Sequence, residues 1–342
     1  MSGLNNSNLT VLSTEEDDEV CSEEISPPLI AAGITMLSVM IVCGILGNSL
    51  VCISMVKCSF LRRTLSNYLV VSLALSDLLV CTSVLPFDII YWMDFPQWTI
   101  GGYACNIWNS LFYLMMTASV MNLVLISGDR FIAVVYPFRY PTWVTYRVIK
   151  VLLTSVWVYS VGVGATLFVL LVPPDGDYYS FDLGEYGDFK WYLNIGNVLI
   201  PFSIMVLLYI KIYVIARHHS RRMSTSQASD GSVVNNRISE TLRRELRIAK
   251  ALGVIVLCFL LCWLPYVVLN FMTLNDSIYY DCNIELADTV FCWLAYMNSV
   301  LNPILYAYTN HDFRRAFKSI FSRFLTRHQV SDQSISNIES RL

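Results

Sequence analysis

Charge is scarce in this chain: Asp, Glu, Lys and Arg together make 14% of its 342 residues, while 55% are hydrophobic. A water-soluble domain carries roughly a quarter charged residues and breaks its apolar runs into shorter elements, so a packed soluble core is excluded. Histidine is scarcer still, and all four histidines fall in segments that the charge distribution assigns to the inner side. That excludes a histidine metal site or catalytic triad in an outward-facing pocket, and with it an enzyme of that kind. Neither a Cys-x-x-Cys pair nor mixed Cys/His spacing of metal-site type occurs. The cysteines in or beside the apolar runs are therefore packing residues. Met1 to Glu24 contains no basic residue and no short apolar core, so no cleavable leader is expected and the first long run directs insertion. No internal repeat is visible, which argues against a transporter built from paired halves.

What the chain does have is apolar runs longer than the ~20 residues that cross a bilayer. Seven crossings are expected, at about 29–56, 65–93, 105–135, 148–172, 191–215, 249–272 and 287–308, giving an all-α seven-helix bundle over 29–310. Of the 23 Lys and Arg, Lys190 alone lies in a segment assigned outside. The positive-inside rule then makes residues 1–28 an extracellular tail. Glycosylation triplets at Asn5, Asn8 and Asn275 share that side. Pro86 and Pro201 are expected to loosen the second and fifth helices, and Pro265 lies in the outer half of the sixth. Met223 to Asn236, rich in Ser, Gly and Asn, reads as a loop, with the sixth helix starting near Ser239. In residues 311–325, Phe313, Phe317, Ile320, Phe321 and Phe324 share one helical face and Arg314, Arg315, Lys318 and Arg323 the other. Such a helix is expected to lie flat on the inner leaflet, followed by a cytoplasmic tail over 326–342.

Two charged positions inside the apolar runs demand a role, because hydrocarbon cannot hydrate a charge. Asp77 lies in mid-membrane at a depth matched by Asn48, Ser119, Asn298, Ser299 and Asn302 in other runs. Two readings stand level: oxygen ligands around a cation such as sodium, or a protonated acid making interhelical hydrogen bonds. Asp129 and Arg130 close the third run side by side and have the character of a switch.

These residues, with Trp98, Cys105, Asp129-Arg130-Phe131, Trp157, Pro201 with Tyr209, Phe259 to Pro265, and Asn302-Pro303-Ile304-Leu305-Tyr306, resemble in order the motifs of rhodopsin-like (class A) G-protein-coupled receptors. The resemblance covers about Leu29 to Phe324. It implies a plasma-membrane receptor with a heterotrimeric G protein, receptor kinases and arrestin as inner partners and a small extracellular ligand. It implies no cofactor beyond a sodium ion at Asp77, and no nucleic-acid partner. In the resting family member the Arg130 position is held by its neighbouring acid and by an acid at the base of the sixth helix, here Glu245. Tyr209 and Tyr306 match tyrosines that regroup around that arginine, Trp263 and Phe259 match the packing group linking pocket to switch, and Phe138 matches a G-protein contact.

Within the family, Trp293 to Ser299 and Asn310 to Phe317 look aminergic. Two departures follow. Aminergic receptors place an Asp eighteen residues before the switch arginine, and this chain has Phe112 there, with no acid between Cys105 and Asp129. Asp88 and Asp288 are the acids left to take its place. The stretch Pro173 to Lys190 also lacks the family's usual loop cysteine, leaving Cys21, Cys105 and Cys282 as outer disulfide candidates with the pairing open. An opsin would need a lysine where Tyr296 stands. The expected ligand is a small cation or amine held among Asp88, Trp108, Phe112, Tyr113, Asn194, Trp263, Tyr266 and Tyr296. A peptide or lipid ligand, constitutive signalling, and, in a different class, a channel or transporter are the alternatives.

Overall fold

The computed structural model describes residues 26–95, 98–171, 183, 186–226, 233–274 and 282–322. Asn5, Asn8, Cys21, Asn275, Phe324 and the side chain of Cys282 lie outside the described residues. Seven helices are long and apolar enough to cross a membrane: Pro27–Lys57, Ser66–Asp94, Gly102–Val135, Tyr146–Leu170, Phe189–Ile215, Glu245–Thr273 and Asn283–Thr309. Among the described residues every regular element is helical, as hydrocarbon requires of a chain that must satisfy its own backbone donors. They are numbered here as the first to seventh spans.

The third span packs against the second, fourth, fifth and sixth, and so forms the axis of the bundle. The first span meets the second and seventh instead. Its glycines set the distance: a Cβ on Gly33 would strike the Trp293 ring, and one on Gly47 would lie 2.9 Å from Pro303. Leu46, Val56 and Val169 are among the strongly exposed apolar side chains, the expected arrangement when the solvent is lipid.

Two breaks in helical regularity shape the outer half. In the second span a helix over Ser66–Ser83 ends and another begins at Leu85, with Val84 between them. Pro86 has no N–H and its ring crowds the preceding turn. The Thr82 and Ser83 hydroxyls also bond back to the carbonyls of Leu78 and Leu79, which further loosens the helix. In the fifth span a π-helical segment, Tyr192–Leu199, precedes an α-helix from Ile200. Pro201 removes one donor just below it, and a wider turn accommodates the loss.

The helix ends differ from expectation in three ways. Helix extends through Ser226 and resumes at Val233, so both ends of the stretch expected to be a loop are helical and only 227–232 lie outside the described residues. The seventh span's helix starts at Cys282, earlier than the apolar pattern shows, because its first turn is polar. After Asn310, whose side chain caps the next helix by accepting from the backbone of Asp312 at 3.0 Å, residues 311–322 are helical. Phe313 and Phe317 of that helix are buried, with Phe313 against Tyr306 at 5.7 Å, while Phe321 is exposed. The aromatic face is thus used first to close the bundle, and only its far end is left for lipid.

Candidate functional site

The kink at Val84 turns the outer half of the second span so that Asp88 faces inward, where it is 5% exposed. The Tyr296 hydroxyl donates to Asp88 Oδ2 at 3.0 Å, joining the second and seventh spans. The Trp108 indole, on the third span, lies near Asp88. Phe112 sits beside this pair, edge-on to Tyr296 (5.9 Å), Tyr266 (6.2 Å) and Tyr113 (5.2 Å), and tilted against Trp263 at 6.3 Å. The outcome is one buried carboxylate at the rim of an aromatic cage, a pairing suited to a cation because ring faces are electronegative. Trp98 stacks on Trp108 at 5.2 Å and closes the outer side.

Of the residues expected to line the pocket, Asp88, Trp108, Phe112, Tyr113, Trp263, Tyr266 and Tyr296 come together. Asn194 is engaged elsewhere: its amide donates to the carbonyl of Lys190, one turn back on its own helix. Asp288 is part-exposed and accepts from Asn270 at 3.4 Å. Cys105 is buried at the outer end of the third span near Asn109.

Below the cage lies a cavity of about 20 Å³, room for roughly one water, lined among others by Phe112, Met116, Trp263, Ser119, Asn298 and Ser299. It opens toward the Asp77 group. Asp77 is fully buried and accepts from Ser299 Oγ (2.9 Å) and Asn302 Nδ2 (2.7 Å). Asn48 Nδ2 donates to the Ser299 carbonyl at 2.9 Å, and Ser119 Oγ donates to Ser76 Oγ at 3.0 Å. The side-chain carbonyls of Asn48, Asn298 and Asn302 are buried with no hydrogen-bond partner. One carboxylate with several orphaned amide oxygens is a hard-ligand set that fits a small cation such as sodium. Among the described residues no group of three His, Cys, Asp or Glu forms a transition-metal site.

At the inner end Arg130 is 2% exposed, and each of its three side-chain nitrogens meets an oxygen. Its Nε donates to Asp129 Oδ2 at 3.0 Å, its Nη1 meets Glu245 Oε2 of the sixth span at 3.4 Å, and its Nη2 contacts Asp129, Ser66 and the Tyr140 hydroxyl. Asp129 in turn accepts from Ser66 Oγ (2.8 Å) and from Tyr140 (2.7 Å). Burial and the neighbouring Asp129 carboxylate push the Tyr140 phenol above its ordinary range, so it remains a donor. Ser66 and Tyr140 were not singled out by sequence, since neither belongs to the Asp-Arg motif. Tyr209 lies on Gly253 of the sixth span, where a Cβ would meet its ring at 2.9 Å. Tyr306 is fully buried, Phe259 bridges Trp263 (5.8 Å) and Phe202 (5.5 Å), and Phe138 is 72% exposed on the inner loop.

Seven membrane-crossing helices with a buried outer cage, a polar middle layer and an arginine clasp at the inner end define a membrane receptor of the helical-bundle type. Residues 47–306 match the profile of the "7 transmembrane receptor (rhodopsin family)", and the chain belongs to that family. It is similar to the alpha-1A adrenergic receptor of Oryzias latipes, 33% identical over 334 residues that span 88% of this chain and 69% of the relative. The human alpha-1A adrenergic receptor is 32% identical over 354 residues, 93% of this chain and 74% of the relative. The D(1)-like dopamine receptor of Takifugu rubripes is 32% identical over 321 residues, 82% and 68% of the two chains. The chain is thus a class A, aminergic-like receptor and a multi-pass plasma-membrane protein, in a family of receptors rather than enzymes.

Proposed function

We propose that this receptor binds a small extracellular cation or amine at Asp88, in place of the third-span acid it lacks, and activates a heterotrimeric G protein at its inner face. The observation that carries the ligand half is the Asp88–Tyr296 hydrogen bond beside Phe112. It sets a carboxylate next to the aromatic cage even though the third span supplies none. The names of the relatives support a small amine, as dopamine is for one of them. The near-absence of Lys and Arg from the outer segments supports an extracellular N-terminus.

An ammonium entering the cage exchanges water for Asp88 and the ring faces of Tyr296 and Tyr266. Its contacts load Phe112, which lies on Trp263, and Trp263 lies on Phe259. A ligand that favours one arrangement of these rings biases the sixth span, and that span carries Glu245. Outward movement of its base withdraws Glu245 and frees Arg130 for the G protein, with Phe138 as a further contact. Sodium at Asp77 favours the resting arrangement, and receptor kinases with arrestin end the signal.

The test is an amine screen against a G-protein panel, repeated with Asp88→Asn and Asp288→Asn. Asp88→Asn is expected to weaken an amine agonist about 10- to 100-fold, the worth of a charge-assisted hydrogen bond in a buried site. Asp288→Asn is expected to cost less than about threefold, as for a part-exposed charge. Unchanged potency in both variants rules out the relocated acid.

A further inference from the structure

The outer segment between the fourth and fifth spans, Pro173 to Lys190, contains no cysteine, so no disulfide can tie it to the bundle. It is rich in acids, with Asp175, Asp177, Asp182, Glu185 and Asp188, and such residues favour water over a protein interior. Leu183 does the opposite. It is 1% exposed and ranks with the largest fully buried side chains among the described residues. Tyr186, Gly187 and Asp188, which follow it in the same segment, are exposed.

Leu183 completes an apolar cluster with Val163, Leu167 and Leu171 at the outer end of the fourth span and Leu193 near the start of the fifth. That end of the fourth span is itself held, because the Asn106 amide of the third span donates to the Leu171 carbonyl at 3.0 Å. The turn after Leu183 closes back on it: the Tyr186 N–H donates to the Leu183 carbonyl at 2.9 Å. Tyr113 of the third span packs against the same cluster, and its ring is edge-on to Phe112 in the cage at 5.2 Å.

We infer that Leu183 is a positioning residue: it anchors the outer segment by apolar burial where no covalent tie exists, and through its cluster it holds the Tyr113 side of the cage. The anchor is independent of which ligand fills that cage. Two consequences separate it from a disulfide. Full burial of a leucine side chain biases an equilibrium by roughly 10- to 100-fold, so the anchor releases and re-seats spontaneously, with a released population on the order of 1–10%. Reductant has no bond there to break. Because Leu183 and Tyr113 share one cluster, loosening either loosens the other, as reciprocity of coupled equilibria requires.

The experiment follows cleavage of the purified full-length receptor after Glu185, two residues from the anchor, by a glutamate-specific endoprotease. Each rate is divided by that of a synthetic peptide of residues 178–190 carrying the same residue at 183, so that the preference of the protease cancels. Leu183→Ala is expected to be cleaved about tenfold faster than wild type, the loss of most of the burial bias. Leu183→Val, a smaller truncation, is expected at about threefold and carries the comparison where the alanine variant is not expressed. Leu183→Met keeps volume and apolarity and is expected to stay within about twofold of wild type. Tyr113→Ala, on another helix, is expected to speed cleavage about threefold through the shared cluster. Tyr103→Ala, at an exposed ring on the outer end of the third span, leaves the rate unchanged, and so does dithiothreitol in the wild type. Basal G-protein signalling of Leu183→Ala is expected at the wild-type level, because the arginine clasp lies at the other end of the bundle, and this separates release of the anchor from general misfolding. A rate unmoved by both Leu183→Ala and Leu183→Val, or raised tenfold by dithiothreitol in the wild type, overturns the anchor. Acceleration by the Leu183 variants with none by Tyr113→Ala overturns the link to the cage.

Discussion

The arginine clasp shows what individual residues contribute beyond a motif. The Asp129-Arg130 pair was legible in the sequence because it interrupts an apolar run, and the resemblance to class A receptors added Glu245 as its second acid, which the structure places 3.4 Å from Arg130. Ser66 and Tyr140 were not, since they approach Asp129 only after the first and second inner loops have folded. Their effect can be separated. Removing Glu245 breaks a contact that is 21% exposed on the glutamate side. Glu245→Ala is therefore expected to raise basal G-protein signalling about fivefold, the population shift from losing roughly 1 kcal/mol. Tyr140→Phe leaves Asp129 short of one donor and is expected to raise basal signalling by a smaller factor, while Arg130→Ala abolishes signalling. Basal activity unchanged in Glu245→Ala argues against a clasp.

At the level of the helices, apolar length announced seven crossings, while their irregularities came only from the folded structure. Pro86 and Pro201 announced that something would give, but not that one break would turn Asp88 toward Tyr296 or that the other would widen into a π-helical segment. The direction of each bend depends on neighbours, which a single run of residues does not contain. Glycine contacts are the same kind of information. Gly47 lets the first span approach Pro303, a ring with little freedom to retreat. Gly47→Ala is expected to cost roughly 1–2 kcal/mol through overpacking. Gly162, with nothing within 4 Å, is the control: Gly162→Ala should hold or raise stability, since alanine is the better helix former. Thermal unfolding of the detergent-solubilised receptor checks both, and equal melting temperatures for the two variants contradict the close approach.

Across the whole molecule three layers are stacked along the third span: the aromatic cage, the Asp77 group and the arginine clasp. Membership in the rhodopsin family was legible from the order of motifs, and the departure at Phe112 was equally plain. Which acid to propose in its place was not, because Asp88 and Asp288 are both merely acids near helix ends in the sequence, and only their burial and bonding differ. The middle layer makes a global prediction. Raising sodium at constant ionic strength is expected to lower basal signalling in the wild type and to have no effect in Asp77→Asn, which loses the one carboxylate of the site; identical sodium responses would exclude Asp77 as the locus. The clasp has a last consequence. Arg130 is held at once by oxygens from Asp129, Ser66, Tyr140 and Glu245, so no intermediate position keeps all of these contacts. Opening is then all or none in any one molecule. A partial agonist acts on this receptor as a duty cycle, setting the fraction of time the arginine spends released rather than the distance it travels.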